Sequence, residues 1–309
     1  MRHHWRRLAQ IVPTMLGALV LVFVVMRVLP GDPALSLLGT AATPEAVAAL
    51  RAQLGVDRPL PEQFATYLLG IARLDLGQSL ALRTPVVRLV ADALPHTLAL
   101  TLGGTVLAAV IGVPLGIVAA LRRGTWLDYA ASTGALLGVS VPVFVWGLLL
   151  LLAFSLHWRL FPTAGAGITA GGALRALVLP SIATGVYLAG IVSRITRASV
   201  LQMLSQDFAR TARAKGLAEP AVVGRHVLRN AVIPILTVIG LNIGTLLSGA
   251  VVAETVFTRP GIGRLALEAI LARDYPVIQG VIIISVFAVV LLNFLVDLLY
   301  GVADPRVRA

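Results

Sequence analysis

No cysteine occurs in the 309 residues, which removes a disulfide framework, a thiolate metal site and a cysteine nucleophile. Charge is also scarce: Asp, Glu, Lys and Arg make up 13% of the chain against 58% hydrophobic residues. So little polar surface cannot coat a soluble globule, and the chain reads as an integral membrane protein. Lysine is present once, as Lys215, followed by Gly216 with no glycine-rich loop before it, so there is no phosphate-binding P-loop. If the chain works with ATP, another polypeptide must hydrolyse it. The histidines His3, His4, His96, His157 and His226 fall at membrane edges or in loops, and no pair has metal-ligand spacing. "GVSVP" at 138–142 lacks the second glycine of a serine nucleophile elbow. Neither an enzymatic role nor a cofactor or metal site is expected on this chain.

What the sequence has instead is apolar runs. Taking about 20 residues as one crossing, six are found, at roughly 9–29, 98–121, 130–156, 176–193, 231–253 and 277–300. Each holds Gly or Pro, among them Pro13, Pro114, Pro142, Pro180, Pro234 and Gly280, so kinks are expected. "MRHHWRRLAQ" and the run after it have no small-residue cleavage site and read as a retained first helix, not a signal peptide. The net charge of +11 lies beside these runs, the pattern of membrane orientation and not of nucleic-acid binding. Arg2, Arg6 and Arg7 precede the first run, Arg122 and Arg123 follow the second, seven Lys or Arg lie between 194 and 229, and Arg306 and Arg308 close the chain. Basic connections alternate, which places the N-terminus, the 122–129 loop, the 194–230 loop and the 301–309 tail in the cytoplasm.

The long 31–94 connection falls outside. Thr43 can cap a helix opened by Pro44 and Glu45 and stopped at Gly55, and a second amphipathic stretch covers about 61–74. In the fifth run Gly240, Gly244 and Ser248 recur every four residues, a face for close helix packing or for a smooth pathway wall. Asn242 beside them needs a partner at membrane depth. Arg27 can snorkel outward and Asp297 lies near an inner end. No ionisable group stands near the midplane, which speaks against a proton- or sodium-driven secondary carrier; a stand-alone secondary transporter or channel is the competing reading.

"TARAKGLAEPAVVGRHVLRNAVIP", Thr211 to Pro234, is longer than anchoring requires. Asp207 stands at the start of a short helix that Gly216 can stop, and Pro220 opens a second. Two short helices around a glycine, basic and small-surfaced, look like a protein-docking element.

With these residues in view the chain resembles the permeases of binding-protein-dependent ABC importers, in the dipeptide/oligopeptide/nickel group. "DFARTARAKGL" followed by "RHVLRNAVIP" is similar to that group's Glu-Ala-Ala loop. The likeness extends in order through "LPGDPA" (29–34), "DRPLPEQF" (57–64), "DLGQSL" (75–80), "LPHTLALTL" (94–102), "GVPLGIVAA" (112–120), "AETVFTRPGIGRL" (253–265), "RDYPVIQG" (273–280) and "DPRVR" (304–308). Arg210-Thr211-Ala212 stands where many importers have Glu-Ala-Ala, and Leu228-Arg229 where Leu-Pro is usual.

The resemblance implies an all-α type I ABC importer permease with six transmembrane helices and cytoplasmic termini, in a bacterial or archaeal inner membrane. Residues 1–93 would form the first helix and an extracytoplasmic segment, and 94–300 the transmembrane domain. Its partners would be a homologous second permease, two ABC ATPase subunits carrying ATP and Mg, and an extracytoplasmic solute-binding protein. Coupling to the ATPase would fall to Asp207, Arg210, Thr211, Ala212, Arg213, Ala214, Lys215 and Gly216. Gly240, Asn242, Gly244 and Ser248 would pack or line the path, and Glu254, Pro260 and Gly261 would meet the binding protein. The solute, whether dipeptide, oligopeptide, glutathione or a nickel complex, is not legible.

Overall fold

The computed structural model describes residues 2–28, 43–55, 57–167 and 170–303. Apart from one isolated bridge between Gln78 and Pro85, every regular element among them is a helix. In chain order these are α1 (Arg2–Val28), α2 (Pro44–Leu54), α3 (Leu60–Ala72), α4 (Val86–Leu121), α5 (Trp126–Ser140), α6 (Val143–His157), α7 (Ala170–Leu204), α8 (Asp207–Ala214), α9 (Glu219–Val256), α10 (Ile262–Leu271) and α11 (Tyr275–Ala303). α6 is π-helical over Leu151–His157 and α9 over Val222–Val227. The motifs at 29–34 and 304–308 lie outside the described residues.

Four helices, α4, α7, α9 and α11, are long and apolar enough to cross a membrane; α5 and α6 make a fifth crossing if they form one span, bent by 105°. The bend falls at Pro142, which has no N–H to continue the ladder and pushes Val141 into extended backbone at φ −85°, ψ 126°. The apolar part of α1 is the shorter stretch Val12–Val25, so a sixth crossing is less plain than the sequence suggested. The helices also outrun their apolar runs: α4 begins at Val86, α7 continues to Leu204 and α9 begins at Glu219. Lipid dictates only the apolar length, whereas a helix continues until a cap, glycine or proline stops it.

Two compact units are present, Met1–Pro95 with Arg264–Val290, and His96–Gly263 with Leu291–Ala309. In the first, α2 is built as its sequence dictates: Thr43 Oγ1 accepts from the Ala46 N–H at 3.3 Å, and Gly55 closes the helix at φ +67°. Phe23 of α1 meets Phe64 edge-on and Tyr67 at a tilt, both on α3, at 5.0 and 5.6 Å between ring centroids, contacts that tie the two helices. Buried Asp274 accepts from Ser79 Oγ at 2.5 Å and from the Ala81 N–H at 3.1 Å. The separate motifs "DLGQSL" and "RDYPVIQG" are thus one hydrogen-bonded corner.

In the second unit α7 is central, with 67% of its most apolar stretch buried. Glycines on α4 bring it against α7 backbone to backbone: a Cβ on Gly112 or Gly116 would lie 2.7 Å from the Ala189 carbonyl oxygen or 2.5 Å from that of Ser193. Gly190 of α7 does the same for α5, 2.4 Å from the Ala135 carbonyl. This is small-residue packing, which replaces the hydrophobic drive that lipid does not supply. Two buried hydroxyls return to their own helix, Thr101 to the Thr97 carbonyl at 2.9 Å and Thr184 to that of Pro180 at 3.0 Å. Asp128 at the start of α5 takes Arg197 of α7 in a two-bond grip at 2.7 and 2.8 Å.

Candidate functional site

The short helix α8 lies between two long apolar ones. Gln206 enters it in extended backbone without a side-chain cap, and Asp207 occupies the first turn, where a negative charge complements the helix dipole. Its end is a full Schellman arrangement: Lys215 is the last cap, Gly216 turns left-handed at φ +80°, its N–H bonds the Arg213 carbonyl at 2.9 Å, and the Leu217 N–H bonds that of Ala212 at 3.3 Å. Gly216 is the stop expected from the sequence.

Only one narrow face of α8 is buried. Ala209 and Ala212, three apart, seat on a cluster formed by Ala120, Val200, Val222, Val227 and Ala231. Methyl side chains let the helix lie close to the ends of α4, α7 and α9. The rest of it is exposed: Asp207, Arg210, Thr211, Arg213, Ala214, Lys215 and the large apolar Phe208. Arg210 reaches Asp207 only loosely, at 3.8 Å. Arg213 is committed within the chain, its Nε and Nη2 donating to Glu219 at 2.9 and 2.8 Å, which holds its guanidinium above the ordinary arginine pKa. Through that pair α8 is braced to the first turn of α9. The expected second short helix is not separate: Glu219 and Pro220 do open a helix, but it continues into α9 because nothing after Pro220 stops it.

The other expected residues are distributed as follows. Gly240 is buried, Gly244 and Asn242 are half-buried and Ser248 is exposed, so the glycine row runs from packed interior to open surface. Asn242 finds its partner at home, donating to the Val238 carbonyl at 2.8 Å, and Ser248 donates to that of Gly244 at 3.1 Å. Glu254 and Gly261, expected at a binding-protein surface, are buried, Glu254 fully, while Pro260 is exposed. Glu254 Oε1 accepts from Thr97 Oγ1 at 2.5 Å, and the same Thr97 oxygen accepts from the Ile262 N–H at 2.8 Å, capping α10. A Cβ on Gly261 would sit 2.0 Å from the Glu254 carboxylate. These two hold the turn after α9 together and do not present a surface.

Arg259, buried beside them, carries an assignment that sequence reading missed. Pro180 in α7 has no N–H for the Ala176 carbonyl four residues earlier. Arg259 Nη1 donates to that carbonyl at 3.0 Å. The proline within an apolar run, together with an arginine in "TRPGIG", was the available signal. Burial lowers the Arg259 pKa and the charge of Glu254 opposes that shift.

Such a bundle, with an exposed short helix between two long apolar ones, is the permease fold of ABC importers. The structure matches the inward-facing MetNI methionine ABC transporter with a TM-score of 0.58 at 18% identity, covering 70% of this chain and 96% of that one. It also matches an amino acid ABC transporter solved with histidines, with a TM-score of 0.51 at 17% identity, covering 71% and 94%. The chain belongs to the family of binding-protein-dependent transport system inner membrane components, which matches residues 112–309, and the N-terminal region of such membrane components matches residues 1–101. Among curated relatives it is 38% identical to the dipeptide transport system permease protein DppB of Escherichia coli K12, across 98% of this chain and 97% of that protein. It is 42% identical to a putative peptide transport system permease protein of Brucella abortus, across 98% of both. It is 40% identical to the di/tripeptide permease DppB of Pseudomonas aeruginosa, across 98% and 97%.

Proposed function

We propose that this chain forms half of the translocation pathway of an ATP-driven importer for peptides or a related small solute, and that α8 is where ATPase subunits act on it. The observation that carries the reading is the build of α8: two alanines seat it on the ends of α4, α7 and α9, and every longer side chain faces away. A helix so seated moves its neighbours when it moves, and Phe208, Arg210 and Lys215 remain free for a partner groove. The peptide class is supported by the relatives' names. In this reading the transmembrane domain of 94–300 pairs with a homologous permease, α1 and the α5–α6 pair complete six crossings, and both termini are cytoplasmic. A binding protein docks outside on the 31–94 and 254–276 segments, where Pro260 offers an exposed point. ATP and Mg belong to the ATPase subunits, whose closure biases a two-state permease.

Gly216→Val tests it. The site has open space, with nothing within 4 Å of a new Cβ, but its φ of +80° excludes a β-branched residue. The variant should reach the membrane, lose peptide uptake and no longer retain the ATPase on purification. Normal uptake would sink the docking role. Solute flux through the chain reconstituted alone would favour a carrier or channel.

A further inference from the structure

The first unit holds a cavity of about 410 Å³ between α1, α3, the turn at 75–77 and α11. Its polar lining is cationic on balance: Arg27 and Arg58 against one carboxylate, Asp75, with Tyr67 and Gln279 beside them. Arg27 lies over the Phe23 ring at 3.7 Å and gives its Nε to Gln63 at 3.0 Å, which aims the guanidinium while leaving its two terminal nitrogens without a protein acceptor among the described residues. The Arg58 guanidinium likewise has no acidic partner among them, its main-chain carbonyl accepting from Gln63 instead. The Tyr67 hydroxyl is buried without a protein partner in hydrogen-bond geometry, the Gln279 amide being its neighbour. Burial raises its pKa, so it stays a donor. Asp75 Oδ1 is occupied by the Gly77 N–H at 3.0 Å.

Several unpaired donors and a surplus positive charge around one void describe an oxyanion site. The position of the void, at the ends of two apolar stretches, points to the anion. Arg27 lies two residues past the apolar stretch Val12–Val25, and Gln279 stands in the opening turns of the apolar segment Tyr275–Val296. In both helices the apolar sequence begins or ends there, and at such a boundary Tyr and Arg side chains meet headgroups when the helix lies in a bilayer. Ile71, Leu76 and Ile283 supply an apolar wall in the same cavity. We propose that this cavity binds one phospholipid by its phosphate, with Arg27, Arg58 and the Tyr67 hydroxyl as donors and Ile283 against the glycerol end.

The inference needs only the membrane setting and is independent of the role of α8. The test is native mass spectrometry of the full transporter complex in detergent, titrated with phosphatidylglycerol, with diacylglycerol and with inorganic phosphate. One phosphatidylglycerol should remain bound at collision energies that strip diacylglycerol, and inorganic phosphate should not displace it. Arg27→Gln with Arg58→Gln should weaken retention roughly tenfold or more, as loss of charged hydrogen bonds requires, and Arg27→Lys with Arg58→Lys should restore most of it. Because Arg27 also packs on Phe23, Tyr67→Phe gives an independent reading: the fold keeps its ring and retention falls about threefold or more. Equal retention in wild type and both variant classes, or equal retention of diacylglycerol, overturns the proposal. Displacement by inorganic phosphate assigns the site to a free anion and overturns the lipid.

Discussion

Two glycines in one chain, Gly216 and Gly261, are required for opposite reasons. Around Gly216 there is open space, and the backbone is what demands glycine, at φ +80°. At Gly261 the space is already taken, since any Cβ would overlap the Glu254 carboxylate. The first ends an exposed helix by local hydrogen bonds; the second lets a main chain lie flat on a buried acid held from α4. The contrast separates a surface element, whose rules are short-range and tolerant, from an interior one in which groups more than a hundred residues apart depend on one another.

The largest effect is expected where that interior is broken. Gly261→Ala forces either the Glu254 carboxylate or the turn to move, in a site that also holds Thr97, Ile262 and Arg259. Folded protein recovered in detergent should fall sharply, with a large drop in Tm. Gly216→Ala should give nearly normal yield. Comparable yields for the two variants would show that the turn after α9 is not tightly packed against Glu254.

Glu254→Gln comes next. It removes the nearby carboxylate charge that opposes the burial shift of Arg259, while keeping an oxygen for Thr97, and should lower Tm by less than Gly261→Ala. Replacing both, Glu254→Gln with Arg259→Gln, should destabilise by less than the sum of the single changes in thermal denaturation of the purified chain, because the buried charges disappear together. Full additivity would mean that the two side chains do not interact.

The same contrast explains what was legible in the sequence. Thr43, Pro44 and Gly55 bracket α2, and Gly216 ends α8, because caps and left-handed stops act within a few residues. The kink at Pro142 was readable for the same reason. Arg259 was not, since its partner is a carbonyl freed by Pro180, and pairing an arginine with a distant proline requires knowing how α7 and the turn approach. Glu254 was misplaced because a charged residue at the end of an apolar helix reads as surface until Thr97 is seen to hold it. The extra length of α4, α7 and α9 was hidden because hydropathy marks the bilayer and not the helix.

A smaller effect is expected from Gly216 itself when the side chain stays short. Alanine in a left-handed conformation costs about 1 kcal/mol, and asparagine, which tolerates that region, costs less. Peptide uptake should therefore rank wild type, Asn, Ala and then Val at position 216. A ranking by side-chain volume, with Asn worse than Ala, would indicate that a partner surface lies directly over the glycine and that contact, not backbone conformation, sets the requirement.

The smallest effect in stability belongs to Arg213. Its pair with Glu219 is well aligned, but both side chains are substantially exposed, and such pairs contribute roughly 0–1 kcal/mol. Arg213→Ala should leave Tm nearly unchanged. The pair nevertheless joins α8 to the first turn of α9 directly, so its loss should lower the ATP hydrolysis stimulated by loaded binding protein more than it lowers basal hydrolysis. Glu219→Ala should do the same, and the double variant should be no worse than either, since the brace is already gone. If Arg213→Ala impaired ATPase retention and Glu219→Ala did not, Arg213 would be acting on the partner directly and the intrachain bond would be incidental.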